Sequence, residues 1–352
     1  MSYLILEDGS VFTGESFGKC DDDTYGEVVF ATGMTGYQEM LTDPSFCGQI
    51  VVFTYPLIGN VGVNEADVQS GKVQVRGMII SELCREPSNW KMTQTLEAYI
   101  ARYGVRGMYN VDTRALTKKL RENGSMRGVI CNEPLSVDKI KEFSNTDTVA
   151  RVTCKAPYMV PGSGPRVALM DYGMKQGIVR SLHELGCNIK VFPAKTSAQE
   201  VLDWGCEGIM LSNGPGDPAE NTEIIANLRA LIGKKPIMGI CLGFQMLGLA
   251  LGGQTEKLLF GHRGTNHPVK DITTGRTFIT SQNHGYAVMA SSLPEDVKIT
   301  HLSWNDRTVE GFECKEKKLF GVQFHPEASP GPHDTHGLFK RFISLMEENR
   351  NA

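Results

Sequence analysis

A thiol, an imidazole and a carboxylate stand in settings that suit covalent chemistry. Cys241 lies in Gly239-Ile-Cys241-Leu-Gly243, the thiol counterpart of a Gly-x-Ser-x-Gly nucleophile elbow. The apolar run before it, Ile237 to Ile240, reads as a buried strand. Leu242, Met246, Leu249 and Ala250 behind it recur at helical spacing. Glycines two residues either side of the thiol keep a tight strand-to-helix turn clear of side chains. At a helix N-terminus, unpaired N–H groups and the macrodipole favour thiolate over thiol. Most cysteines are simply small core residues, and the elbow alone does not overturn that reading. About eighty residues downstream, His325-Pro326-Glu327 follows the strand-like run Leu319 to Phe324 and supplies what Cys241 lacks. His325 would take the thiol's proton, and Glu327 would orient the ring and stabilise its charge.

The elements that must position these groups alternate from residue 166 onward. Strand-like Val167–Met170, a helix from Lys175 to Leu185, Asn188–Phe192, a helix near 198–204, Gly208–Leu211 and a helix from about 220 to 232 lead to the Cys241 strand. This is βαβα organisation, hence a doubly wound sheet whose ligands bind beyond the carboxyl ends of its strands. The last third adds β-rich runs near 276–280, 286–289, 297–303, 309–312 and 319–324, which makes the sheet mixed. A C-terminal amphipathic helix from about 335 to 348 closes the chain. After Leu211, Ser212-Asn-Gly214-Pro-Gly216-Asp-Pro218 offers closely spaced backbone N–H groups. Such a loop can form an oxyanion hole or hold an amino acid's polar ends. These residue types are equally the commonest turn formers.

Residues 1–150 read as a smaller β-rich α/β domain, with a helix near 93–103 and another from Asp112 (N-cap) to Gly124. The Pro- and Gly-rich stretch ending Pro157-Tyr-Met-Val-Pro-Gly-Ser-Gly-Pro165 predicts a linker over 151–165, leaving 166–352 as the second domain. A chain of 352 residues, 41% hydrophobic, exceeds one ordinary core. With 36 Lys and Arg against 40 Asp and Glu, the net charge of −4 gives no support for nucleic acid or an anionic membrane as partner. No run has the length of an apolar span and no basic-then-apolar leader opens the chain, so a cytoplasmic protein is expected. Nine cysteines without a Cys-x-x-Cys pair argue against a disulfide framework and a zinc ribbon, and no metal site is expected.

The elbow, His325-Pro-Glu327 and Ser-Asn-Gly214-Pro-Gly-Asp-Pro together resemble the class I glutamine amidotransferases, whose fold and Cys-His-Glu triad the second domain should then share. Thr-Gly-Met-Thr-Gly-Tyr-Gln-Glu at 32–39, Leu-Thr-Asp-Pro-Ser45, Thr-Tyr-Pro-Leu-Ile-Gly-Asn60, Asp112-Thr-Arg and Gly261-His-Arg-Gly-Thr-Asn-His-Pro268 are similar to small chains of carbamoyl phosphate synthetases. The resemblance spans nearly the whole chain. It implies that Cys241 is the nucleophile on the glutamine amide and passes through a γ-glutamyl thioester, with His325 as base and Glu327 as its orienter. It further implies that Ser45, Gly214, Gly216, Leu242, Gln245, Asn283, Gly285 and Tyr286 hold L-glutamine, with Leu242 and Gly214 giving oxyanion N–H groups and Ser45 making the pocket partly inter-domain. Ammonia would pass to a large synthetase subunit that combines it with bicarbonate and ATP for arginine or pyrimidine synthesis. ATP and Mg are expected in that partner and no cofactor in this chain, which has no nucleotide-binding motif. Many members carry histidine where this chain has Phe244, the one feature favouring a catalytically silent regulatory or assembly subunit. Glutaminase chains of anthranilate or guanylate systems lack an N-terminal region of this kind. The helix over 112–123, with Lys118, Lys119 and Arg121, is the candidate docking face.

Overall fold

The computed structural model describes residues 1–350. It divides into two compact units, residues 1–146 with 259–264 and residues 147–258 with 265–350. In the first, seven strands close into a barrel in the spatial order Ser2–Leu6, Val11–Gly18, Arg106–Tyr109, Gly77–Ile79, Gln49–Phe53, Thr24–Ala31 and Met126–Cys131, the last pairing back to the first. Along Thr24–Ala31 the side chains alternate between two cores. Val28 and Phe30 join Leu4, Ile50 and Ile130, whereas Val29 and Ala31 join Val51, Met78 and Leu41, as the strand's two-residue period requires. Helix Thr113–Asn123 lays Leu116 and Leu120 on the first of these cores, and each buried leucine contributes about 1.5–3 kcal/mol. Asp112 caps it, its Oδ1 accepting the Ala115 N–H at 2.8 Å, a contact worth about 1 kcal/mol.

The second unit is built on a ten-stranded mixed sheet. Asn188–Pro193, Arg166–Asp171, Gly208–Leu211, Ile237–Ile240 and Leu319–Val322 are consecutive parallel neighbours at its centre. Tyr158–Val160 and Val309–Cys314 join the two sides of this block antiparallel, and Thr277–Val288, Thr255–Asp271 and Lys298–Ser303 follow. Helices Gln176–Glu184 and Gly337–Arg350 cover one face with Ile178, Leu182, Phe339, Phe342 and Met346. Helices Ala198–Asp203, Thr222–Leu231 and Leu242–Ala250 cover the other with Val201, Ile224, Leu228, Leu242 and Phe244. The sheet is thus doubly wound, and its central strands end together on one edge.

Two stretches differ from their sequence reading. Residues 151–165 contain the end of helix Thr148–Val152 and the edge strand Tyr158–Val160, so this segment is joined to the second unit's sheet rather than spanning as a plain tether. Its glycines serve a close backbone approach: a Cβ on Gly162 would stand 2.1 Å from the Cys187 carbonyl oxygen. Thr255–Asp271 forms a 17-residue strand where sequence patterning indicated no element. Charged and polar residues with Gly261 and Pro268 hide its period.

Candidate functional site

The Cys241 turn is strained, and its neighbours explain why it persists. Cys241 has φ 52° and ψ −106°, a left-handed backbone that costs a non-glycine residue about 1–3 kcal/mol. Its N–H donates to the Val322 carbonyl at 2.9 Å, and its carbonyl accepts from Gln245 N–H at 3.0 Å. The turn is therefore clamped between the neighbouring strand and the helix it starts. Both flanking glycines are sterically required. A Cβ on Gly243 would lie 2.6 Å from the Leu211 carbonyl oxygen, and one on Gly239 would lie 2.9 Å from the Phe244 nitrogen. Gly243→Ala is expected to cost about 1–3 kcal/mol in urea unfolding and to lower activity with it; an unchanged midpoint would show that the elbow is looser than this packing implies.

On the adjacent strand at the same edge, the chain leaves Leu319–Val322 for His325. Register pairs Ile240 with Val322, so the backbone bond from Cys241 joins the two segments three residues before the imidazole. His325 is buried, its N–H donating to the Ser281 carbonyl at 2.9 Å. Its Nδ1 meets Glu327 Oε1 at 2.6 Å, while its Nε2 is buried with no hydrogen-bond partner. A carboxylate on Nδ1 leaves Nε2 as the nitrogen able to accept a proton. The thiol lies against the strand Thr277–Val288, with Sγ 3.7 Å from the Asn283 carbonyl oxygen.

A lysine completes the electrostatics. Lys175 Nζ is 3.0 Å from Glu327 Oε1 and also donates to the Ala328 carbonyl, and both members of the ion pair are buried. Burial by itself would raise the Glu327 carboxyl, but the Lys175 ammonium and then His325 outweigh it and hold it down at about 2, against 4.5 ordinarily. Because the folded value is the lower one, this stabilisation of about 3 kcal/mol is present above pH 4.5 and is lost as pH falls towards 2. Lys175→Met leaves the carboxylate buried without its cation, at a cost of about 3–5 kcal/mol. Urea unfolding at neutral pH measures this, and a variant as stable as the parent would sink the ion-pair account.

Lys175 was not among the residues singled out from sequence, although a signal existed. A lysine capping a helix N-terminus opposes the macrodipole, so it needs another reason to be there. The loop carrying it is tightly held. Asp171 accepts the N–H groups of Gly173 and Met174 on Oδ1 and that of Cys154 on Oδ2, and Asn213 Oδ1 accepts the Lys175 N–H.

The remaining sequence candidates fall as follows. Leu242 opens the helix after Cys241, whose first-turn N–H groups lack intrahelical partners. Gly214 packs so closely that a Cβ would stand 2.2 Å from the Tyr172 carbonyl oxygen. Gly216, at φ 90°, would drive one to 2.2 Å from Thr148 Oγ1, whose hydroxyl donates to the Pro215 carbonyl. Asn283, Gly285 and Tyr286 are consecutive or near-consecutive on Thr277–Val288, and Gln245 Nε2 donates to the Tyr286 carbonyl at 2.8 Å. These residues all belong to the second unit. Ser45 belongs to the first, in the turn Pro44–Phe46, where its N–H is held by Asp43 Oδ1 at 2.9 Å. Phe244 is fully buried and packs on Phe312 with ring centroids 4.5 Å apart. Its side chain thus has a core-packing role.

Residues 4–130 match the family described as "Carbamoyl-phosphate synthase small chain, CPSase domain", and residues 168–345 match "Glutamine amidotransferase class-I". The chain is 52% identical to the carbamoyl phosphate synthase small chain of Clostridium perfringens, over 97% of this chain and 98% of that one. It is 50% identical to the corresponding small chain of Bacillus caldolyticus over 98% and 96% of the two. With the carbamoyl phosphate synthase pyrimidine-specific small chain of Halalkalibacterium halodurans it shares 50% identity over 99% and 98%.

Proposed function

Given that this chain belongs to the carbamoyl phosphate synthase small chains and is a glutamine amidotransferase subunit of that enzyme, we propose that Cys241, His325 and Glu327 are its catalytic triad. The supporting observation is the buried His325–Glu327 pair on a segment hydrogen-bonded to the Cys241 turn. His325 Nε2 takes the thiol proton as Sγ attacks the carboxamide carbon of L-glutamine. The tetrahedral oxyanion is held by the N–H groups of Leu242 and Gly214. His325 then returns the proton to the leaving nitrogen, the C–N bond breaks, and ammonia departs from a γ-glutamyl thioester. Water, deprotonated by the same imidazole, attacks the thioester and releases glutamate and the thiol. Glu327, kept ionised by Lys175, stabilises the imidazolium formed at each transfer.

Gln245, Asn283, Gly285, Tyr286, Gly214 and Gly216 hold the amino-acid end of glutamine, and Ser45 is a further glutamine-binding residue. Ammonia passes to a large synthetase subunit, which carries ATP and Mg and uses bicarbonate to make carbamoyl phosphate for arginine or pyrimidine synthesis. Cytoplasmic residence suits a reaction that needs a reduced thiol, and no helix among the described residues is long and apolar enough to cross a membrane. Helix Thr113–Asn123 offers the docking face through Lys118, Lys119 and Arg121, of which Lys119 also pairs with Asp8 at 2.6 Å and Lys118 with Glu122 at 3.9 Å. Neither nucleic acid nor a membrane is a partner in this reading. Glutamine hydrolysis by the chain, assayed with and without the large subunit, is the test; no hydrolysis in either state would return the silent-subunit reading.

A further inference from the structure

We infer that Gln323 is a positioning residue which, with the Tyr286 carbonyl, holds the Gln245 amide so that its oxygen faces the substrate; the inference rests on the glutamine pocket proposed above. Gln323 follows the strand Leu319–Val322, is fully buried, and is anchored by its N–H to the Glu310 carbonyl at 2.9 Å. Gln245 Nε2 lies 2.8 Å from the Tyr286 carbonyl oxygen and 2.9 Å from Gln323 Oε1. The Tyr286 oxygen can only accept, and it also lies 2.8 Å from His284 Nδ1. The Gln245 atom facing it must therefore be the nitrogen. Gln323 must in turn present its oxygen to that nitrogen, which leaves its own Nε2 buried with no hydrogen-bond partner.

An orphaned buried amide is costly, and a native structure that keeps one invites an explanation. The cost is accepted because both amide hydrogens of Gln245 are thereby consumed. Its Oε1 has no hydrogen-bond partner among the described residues and remains as an acceptor at the head of the helix that Cys241 starts. A carbonyl oxygen fixed in this way selects an ammonium group and repels a second acceptor. The α-ammonium of glutamine supplies that donor, so Gln323 contributes to recognition of an α-amino acid rather than to the chemical step.

The test uses the small chain in complex with its large subunit and compares two amides, L-glutamine and glutaramate, which lacks the α-amino group. Gln323→Met cannot accept from Gln245. It is expected to raise KM for glutamine about tenfold or more, the loss of one charge-assisted hydrogen bond, with kcat near the parent value and kcat/KM for glutaramate unchanged. Gln323→Glu retains the acceptor and is expected to keep the parent KM, and it carries the test if Gln323→Met does not fold. Equal losses on both amides, a fall in kcat alone, or a glutamine KM raised as much by Gln323→Glu as by Gln323→Met would overturn the assignment. Glutamine hydrolysis that survives Cys241→Ser would instead remove the pocket reading itself, and this inference with it.

Discussion

Cys241→Ser is expected to lower glutamine-dependent carbamoyl phosphate synthesis by on the order of 10⁴-fold or more, while synthesis from added ammonia by the same complex stays near the parent rate. The substitution changes one atom, so the strained turn and its bonds to Val322 and Gln245 can persist. What changes is the proposed nucleophile: a hydroxyl is far less acidic than a thiol. In the proposed mechanism ammonia enters after the step assigned to Cys241 and bypasses the loss. The paired assay separates chemistry from folding, since loss of both activities would mean that the cysteine serves the structure of the subunit.

The second large effect is expected from His325→Asn, again on the order of 10⁴-fold in kcat for glutamine hydrolysis. Asparagine keeps a polar side chain of smaller size but offers no basic nitrogen at the Nε2 position. Nothing then takes the thiol proton or returns one to the leaving nitrogen. KM is expected to change little, because the groups proposed to hold the amino-acid end lie on Gln245, Asn283, Gly285 and Tyr286. Raising the pH should recover some reactivity, since the thiol then ionises without a base. Steady-state kinetics over pH measures both points. A variant whose KM rises while kcat holds would place His325 in binding instead.

Much of the candidate site's local geometry was legible in the sequence because its signals are local. The Gly239-Ile-Cys241-Leu-Gly243 elbow announces itself by steric demands that the packing against Leu211 and Phe244 repeats. Asp112 and Gly124 delimit their helix by capping chemistry, and they occupy its ends. What sequence patterning did not carry is pairing between distant segments. The β-rich character of the first unit was visible, but closure of Ser2–Leu6 onto Met126–Cys131 depends on partners more than a hundred residues apart. Lys175 stood in plain view as the first residue of a helix, yet its meaning depends on Glu327, 152 positions away. Gln323 likewise gains a role only once Gln245 and Tyr286 are seen beside it. Thr255–Asp271 escaped because a strand of polar and charged residues lacks the apolar alternation by which strands are read.

Trapping the covalent intermediate addresses the triad most directly. The complex is mixed with L-glutamine under single-turnover conditions, quenched in acid to preserve thioesters, and digested for peptide mass spectrometry. One γ-glutamyl group is expected on the peptide containing Cys241, accumulating and then decaying as glutamate appears, and absent from the Cys241→Ser chain. Glutamate forming at the full rate with no acyl group on Cys241, or with the group on another cysteine, would contradict the mechanism.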